Sequence, residues 1–194
     1  MAVISFKRSL FTSNPDKYIS FLAGNTAFNP SSYESIATAT PSGTGTVTFS
    51  SIPSTYSSLQ IRFSLLTSSS GWSSYLRFNG DTGNNYVYHY IAGTGSAVSA
   101  AGVTANPYID FASLNSGSNT TNPNVGIIDI HDYASTTKNK VIRDFAGIDK
   151  NGSGDVNLIS GLWLNTNAIT SVSLIVPVAT FSTGTTFSLY GIKG

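Results

Sequence analysis

The sequence predicts an all-β protein: an antiparallel, jelly-roll-like β-sandwich preceded by an extended N-terminal arm. Three observations carry this. Thr, Val, Ile, Tyr and Phe, which suit a pleated and half-buried surface, make up 70 of the 194 residues. Helix formers are scarce, with Glu34 the only Glu and Met1 the only Met. Apolar residues recur with period 2, and no segment sustains a period of 3.6.

The arm, residues 1–32, lacks either period. Phe6, Leu10, Phe11, Tyr18, Phe21, Leu22 and Phe28 are scattered through it, and Asn14-Pro15 and Asn29-Pro30 interrupt it. So many large apolar side chains are poorly solvated, yet they form no amphipathic element. The arm therefore packs back on its own domain or docks on a neighbouring subunit. The second choice makes Phe6, Leu10, Phe11, Tyr18 and Phe21 contacts to a sister subunit or another polypeptide.

Residues 33–194 form the sandwich domain. Strand signals recur every 10–15 residues between Gly, Pro, Asn and Ser clusters. They fall near 33–40, 44–50, 58–66, 73–79, 85–92, 107–112, 125–132, 139–148, 156–165, 169–176 and 186–192. Leu59, Ile61, Phe63 and Leu65 alternate with Gln60, Arg62 and Ser64. Leu76 and Phe78 alternate with Tyr75 and Arg77, and Val172, Leu174 and Val176 with Ser171 and Ser173. Alternation with one polar face belongs to antiparallel sheets. Roughly eight to eleven such strands bury their apolar faces by stacking as a sandwich. The Ser/Asn/Thr-rich stretch 113–124 reads as the longest exposed loop.

Composition narrows the function. Only 10% of residues are charged and the formal net charge is +1, against about 25% charged in ordinary domains. Ser (31) and Thr (22) take the place of charge. No basic stripe exists to neutralise phosphates, so no nucleic-acid partner is expected. No apolar run approaches the ~18–20 residues of a membrane span. The residues after Lys7-Arg8 are too polar for a signal-peptide core. There is no Cys, so disulfide scaffolds and Cys-based metal sites are excluded.

The residues that could carry chemistry form no convincing constellation. His89 lies in Tyr86-Val87-Tyr88-His89-Tyr90 and His131 in Asp129-Ile130-His131-Asp132. A Ser-His-Asp site needs an oriented base beside its nucleophile, and no Gly-x-Ser-x-Gly elbow is present. Glycoside hydrolysis needs facing carboxylates; Asp110, Asp129, Asp132 and Asp144 are the candidates. Asp110 and Asp129 alternate with apolar residues, so they are expected on outer strand faces. Asp149-Lys150-Asn151-Gly152-Ser153-Gly154-Asp155 begins like a calcium loop, but Ser160 stands where a bidentate Glu is required. A hairpin turn on Asn-Gly explains the same residues. No catalytic residue, cofactor or metal is expected. Trp72, Tyr75, Tyr86, Tyr88 and Tyr90 admit three readings: sandwich core, subunit interface or sugar-stacking platform. Of these, Trp72, Tyr86, Tyr88 and Tyr90 are the candidate aromatic interface.

Several stretches resemble virion structural proteins of tailed bacteriophages. They are Asp16-Lys17-Tyr18-Ile19-Ser20-Phe21-Leu22-Ala23-Gly24-Asn25, Tyr33-Glu34-Ser35-Ile36-Ala37-Thr38, Val47-Thr48-Phe49-Ser50-Ser51-Ile52-Pro53-Ser54-Thr55-Tyr56, Leu59-Gln60-Ile61-Arg62, Arg77-Phe78-Asn79-Gly80-Asp81-Thr82-Gly83, Trp163-Leu164-Asn165-Thr166 and Phe187-Ser188-Leu189-Tyr190-Gly191-Ile192-Lys193. The resemblance implies a head decoration, cement or tail-associated protein and transfers no catalytic residue. It leads to the expectation of a capsid decoration protein, assembled in the host bacterial cytoplasm and resident in the virion. Such a protein would be a homotrimer bound to the major capsid protein. The alternative is a tail-fibre or receptor-binding module that recognises host glycans.

Overall fold

A computed structural model describes residues 32–69, 74–112 and 121–193. They form twelve strands: β1 Tyr33–Ala39, β2 Thr46–Phe49, β3 Ser58–Leu65, β4 Ser74–Phe78, β5 Tyr86–Gly93, β6 Val98–Asn106, β7 Ile109–Phe111, β8 Asn124–His131, β9 Lys140–Asp149, β10 Gly154–Trp163, β11 Val172–Ile175 and β12 Thr186–Ile192. The arm residues Phe6, Leu10, Phe11, Tyr18 and Phe21 lie outside the described residues, as do Trp72 and most of the 113–124 loop.

The strands build two antiparallel sheets packed as a sandwich. The larger runs β1-β12-β3-β8-β9-β10-β5-β6 and the smaller β2-β11-β4-β7. Two hairpins, β5–β6 and β9–β10, occupy one end of the large sheet. Without them, the framework is two four-stranded sheets, β1-β12-β3-β8 and β2-β11-β4-β7. The eleven strands expected from the sequence are all present. β6 was not expected, because Val98-Ser99-Ala100-Ala101-Gly102-Val103-Thr104-Ala105-Asn106 is made of small residues without an apolar alternation.

The framework strands follow the period-2 rule. Leu59, Ile61, Phe63 and Leu65 of β3 are buried, as are Leu76 and Phe78 of β4, and Val172, Leu174 and Val176 at β11. All but their solvent-facing neighbours join one core between the sheets. Phe63 packs in this core edge-on to Phe111 with centroids 5.5 Å apart. The pairing Phe63↔Gly126 explains how the ring lies so close to the sheet. A Cβ on Gly126 would come within 2.5 Å of the Phe63 ring, so the glycine makes the space that the ring fills.

The β9–β10 connection is a two-residue hairpin turn. Asn151 (φ 58°) and Gly152 (φ 101°) both take left-handed conformations, and Lys150 N–H donates to Ser153 O at 2.7 Å. Two positive φ values match the twist of the flanking strands and select Asn-Gly. Asp149 accepts the Asn151 N–H at 2.8 Å, so its carboxylate serves the turn. Among the described residues no group of three His, Asp or Glu could hold a metal ion.

Candidate functional site

The tyrosines of β5 take the core reading rather than the interface one. Tyr86 is fully buried and Tyr88 nearly so, which corrects their candidacy as interface residues. Inward-pointing β5 positions lie beneath the small sheet. Tyr86 packs against Trp163 with ring planes 18° apart, and its hydroxyl accepts the Phe78 N–H at 3.0 Å. The Trp163 indole donates to Asp81 at 2.7 Å, closing the polar end of the stack. Tyr90 is half-buried against the same core.

Two of the four candidate carboxylates are also inside. Asp110 was expected on an outer face, but it is buried and accepts a hydrogen bond from the Tyr88 hydroxyl. β7 is the last strand of the small sheet, and Tyr88 rises from the large sheet to meet it. Asp144 on β9 is fully buried. One oxygen accepts the Ala112 N–H at 2.8 Å; the other has no hydrogen-bond partner among the described residues. Burial pushes the Asp144 carboxyl up to about 8, opposed by the Ala112 bond. Burial also raises Asp110, while the Tyr88 bond lowers it. Asp129 and Asp132 are partly exposed and paired, with Gln60 at 2.8 Å and Lys138 at 2.9 Å.

The histidines are apart. The His89 ring covers Gly102 of the next strand, where an added Cβ would meet it at 2.8 Å. His131 lies 3.3 Å from the Arg143 guanidinium. No Ser or Asp bonds either ring among the described residues. The geometry therefore assembles neither a triad nor facing carboxylates there.

What the molecule does present is an apolar outer face on the large sheet. The registers align Ile127 of β8, Phe145 of β9, Leu158 of β10 and Ile91 of β5 in one cross-strand row. Their exposures are 40, 59, 47 and 49%. Val125, Val156 and Val98 extend the surface toward the hairpin tips and are also exposed. The next row in the other direction is polar: Asp129, Arg143, Ser160 and His89. A cavity of about 920 Å³ opens where this face meets the β5–β6 and β9–β10 turns, lined by Val125, Ile127, Phe145 and Val156 with Phe63 and Gly126 beneath.

Contiguous apolar surface rimmed by polar residues marks an interaction site. Its residues escaped the strand alternation analysis, yet they left a signal. Ile127-Ile128 and Leu158-Ile159 put large apolar side chains on both faces of one strand, where a half-exposed sheet needs only one. No family model, curated protein or solved structure matches the chain.

Proposed function

We propose that this chain is a virion structural protein of a tailed bacteriophage, a capsid decoration or cement protein that bridges major capsid subunits. The observation that carries this reading is the row Ile127–Phe145–Leu158–Ile91. Four large side chains stand exposed on one face of a sheet, in a chain whose motifs resemble such proteins. In this reading the eight-strand framework is a jelly roll, and the inserted hairpins supply the docking surface. The arm adds a second grip on a neighbouring subunit, and copies gather as a trimer where capsid subunits meet. The work is mechanical: apolar area removed from water across a subunit boundary, at about 25 cal/mol per Å², raises the cost of parting the subunits.

The glycan-binding alternative has less support. Tyr86 and Tyr88, two of the aromatics it needed, are consumed by the core.

The test is binding to capsids stripped of the protein. The full chain is expected to bind, and Phe145→Asp with Leu158→Asp to abolish binding while thermal unfolding stays near wild type. Removal of residues 1–15 should weaken binding separately. Wild-type binding to glycan arrays but not to capsids would overturn the reading.

A further inference from the structure

The two sheets have four edge strands among those described, and three are protected. β2 and β7 have only four and three residues. β1 carries a bulge between Ser35 and Ala37, and its Glu34 is tied to Lys193 at 2.6 Å. Short strands, bulges and charges are the usual defences of a sheet edge. β6 has neither shortness nor charge. It is nine residues long, and seven of them are exposed. No charged residue occurs from Ala92 to Ile109. Its one bulge lies at the far end, opposite Tyr86 and Tyr88, near Ala105 (φ 54°). From Val98 to Val103 its ladder with β5 is regular.

Among the described residues, β6 is also poorly held by its own chain. It contributes no fully buried side chain, only Val103 packing partly buried against the core, and Val98 is 74% exposed. A strand in this position has one hydrogen-bonded neighbour and little apolar burial to offset its ordering. Alternate residues turn N–H and C=O groups toward the open side, over about 30 Å at ~3.4 Å per residue. What satisfies that edge is another extended strand.

We propose that β6 pairs antiparallel with β6 of a second copy of this chain about a two-fold axis. The partner follows from the strand's chemistry. Its side chains are too small to form specificity pockets and too neutral to select a charged partner, so recognition falls to the backbone. An antiparallel pair of identical strands is self-complementary, which makes a closed isologous contact. Two copies meet there with no like charges opposed, and small side chains let the two domains approach. A two-fold axis normal to the sheet leaves both outer faces on the same side. The Ile91–Leu158–Phe145 rows of two copies then lie on one surface, joined through Ala100 of each. The pairing stands apart from any threefold association through the arm. It does not rest on the capsid reading; only its use as an enlarged docking surface does.

The chain has no cysteine, so single-cysteine variants of the full-length protein report the contact cleanly. Ser99→Cys, Ala100→Cys and Ala101→Cys are compared with the exposed-turn control Thr136→Cys under mild oxidation. At least one β6 variant is expected to form crosslinked dimer well beyond the control. Wild type should double its sedimenting mass at concentrations up to about 1 mM, the range of weak contacts. Ala101→Lys should return it to monomer with no loss of thermal stability. A wild type that stays monomeric with no excess crosslinking overturns the proposal, and so does a dimer indifferent to Ala101→Lys. A monomeric Ala101→Lys protein that still binds capsids supports the pairing and leaves the capsid reading standing. Loss of capsid binding by Phe145→Asp with dimerisation intact separates the two surfaces.

Discussion

Strands β3 and β9 belong to the same sheet and both turn apolar residues inward, but β9 departs from strict sorting at several positions. On β3, Leu59, Ile61 and Phe63 face the core and Arg62 faces water. On β9 the buried side includes Lys140 and Asp144, both with no exposure, while Val141 and Phe145 stand exposed. β10 departs likewise in its first half, with Asp155 and Asn157 buried and Val156 and Leu158 exposed, while Ile159 and Trp163 face the core. The framework strand is arranged for its own stability. The inserted hairpin carries buried polar groups that cost folding energy and an apolar outer face that contributes little until something covers it. A sheet of continuous backbone hydrogen bonding thus joins the framework to hairpins that add Ile142, Ile159 and Trp163 to the core but also bury polar groups and expose apolar ones.

The largest expected effect tests the framework. Phe63→Ala should cost about 3–5 kcal/mol, the range for an emptied aromatic site in a core, read as a lower denaturant midpoint. A loss under about 1 kcal/mol would mean that the Phe63 pocket is not load-sharing with Phe111 and Phe187, and would dissolve the contrast.

Next comes the buried acid. The Asp144 carboxyl has an ordinary value of 3.8 and is raised to about 8 in the fold. Between those values the folded chain holds a proton that the unfolded chain has released, so stability falls as pH rises from about 4 to 8 and levels off above. At ~1.4 kcal/mol per unit the full shift is an upper bound; a loss of about 3 kcal/mol is expected once local hydration relaxes the charge. Asp144→Asn still accepts the Ala112 N–H and cannot ionise. It should flatten that part of the profile and be more stable than wild type at pH 8. Equal slopes in urea titrations across this pH range would refute the assignment.

Lys140 sharpens the same point with a smaller effect. Its ammonium donates to the carbonyls of Lys138 at 2.5 Å and Thr166 at 3.1 Å. Lys140→Met keeps the buried stem but strands those acceptors, which should cost about 1–3 kcal/mol. The smallest stability effect is expected on the outer face, where Phe145→Ser should move unfolding by no more than about 0.5 kcal/mol. Paired with lost capsid binding, that near-silence would be the clearest mark of a side chain kept for a partner.

The strand positions of the framework were legible because each strand there has one buried and one wet face, and alternation reports that difference directly. β6 was not legible, since alanine, serine and glycine carry little hydrophobic contrast and the strand exists through its ladder to β5. The core role of Tyr86 and Tyr88 was one of three readings, and only the position of the small sheet above β5 decides among them. Asp110 misled the alternation argument. It assumes that a carboxylate among apolar residues turns outward, whereas here Asp110 is buried and accepts the Tyr88 hydroxyl. The outer apolar row was half visible, in adjacent pairs such as Ile127-Ile128, but its assembly into a surface depends on inter-strand register. The calcium-like run at Asp149 was resolved by two backbone angles that favour Asn-Gly in a hairpin.

The placement of β12 between β1 and β3 has a consequence for synthesis. β1 and β3 emerge early, ending at Ala39 and Leu65, yet the strand that joins them begins at Thr186. At about 5–20 residues per second on the ribosome, the ~120 intervening residues take roughly 6–24 s to appear. Through that interval the inner edges of both strands lack their native neighbour, and the buried side of β3, with Ile61 and Phe63, lacks much of its cover. The domain closes in a late step, and a nascent chain halted before Thr186 would be a sticky one. Abundant production of such a protein places its heaviest demand on chaperones during translation.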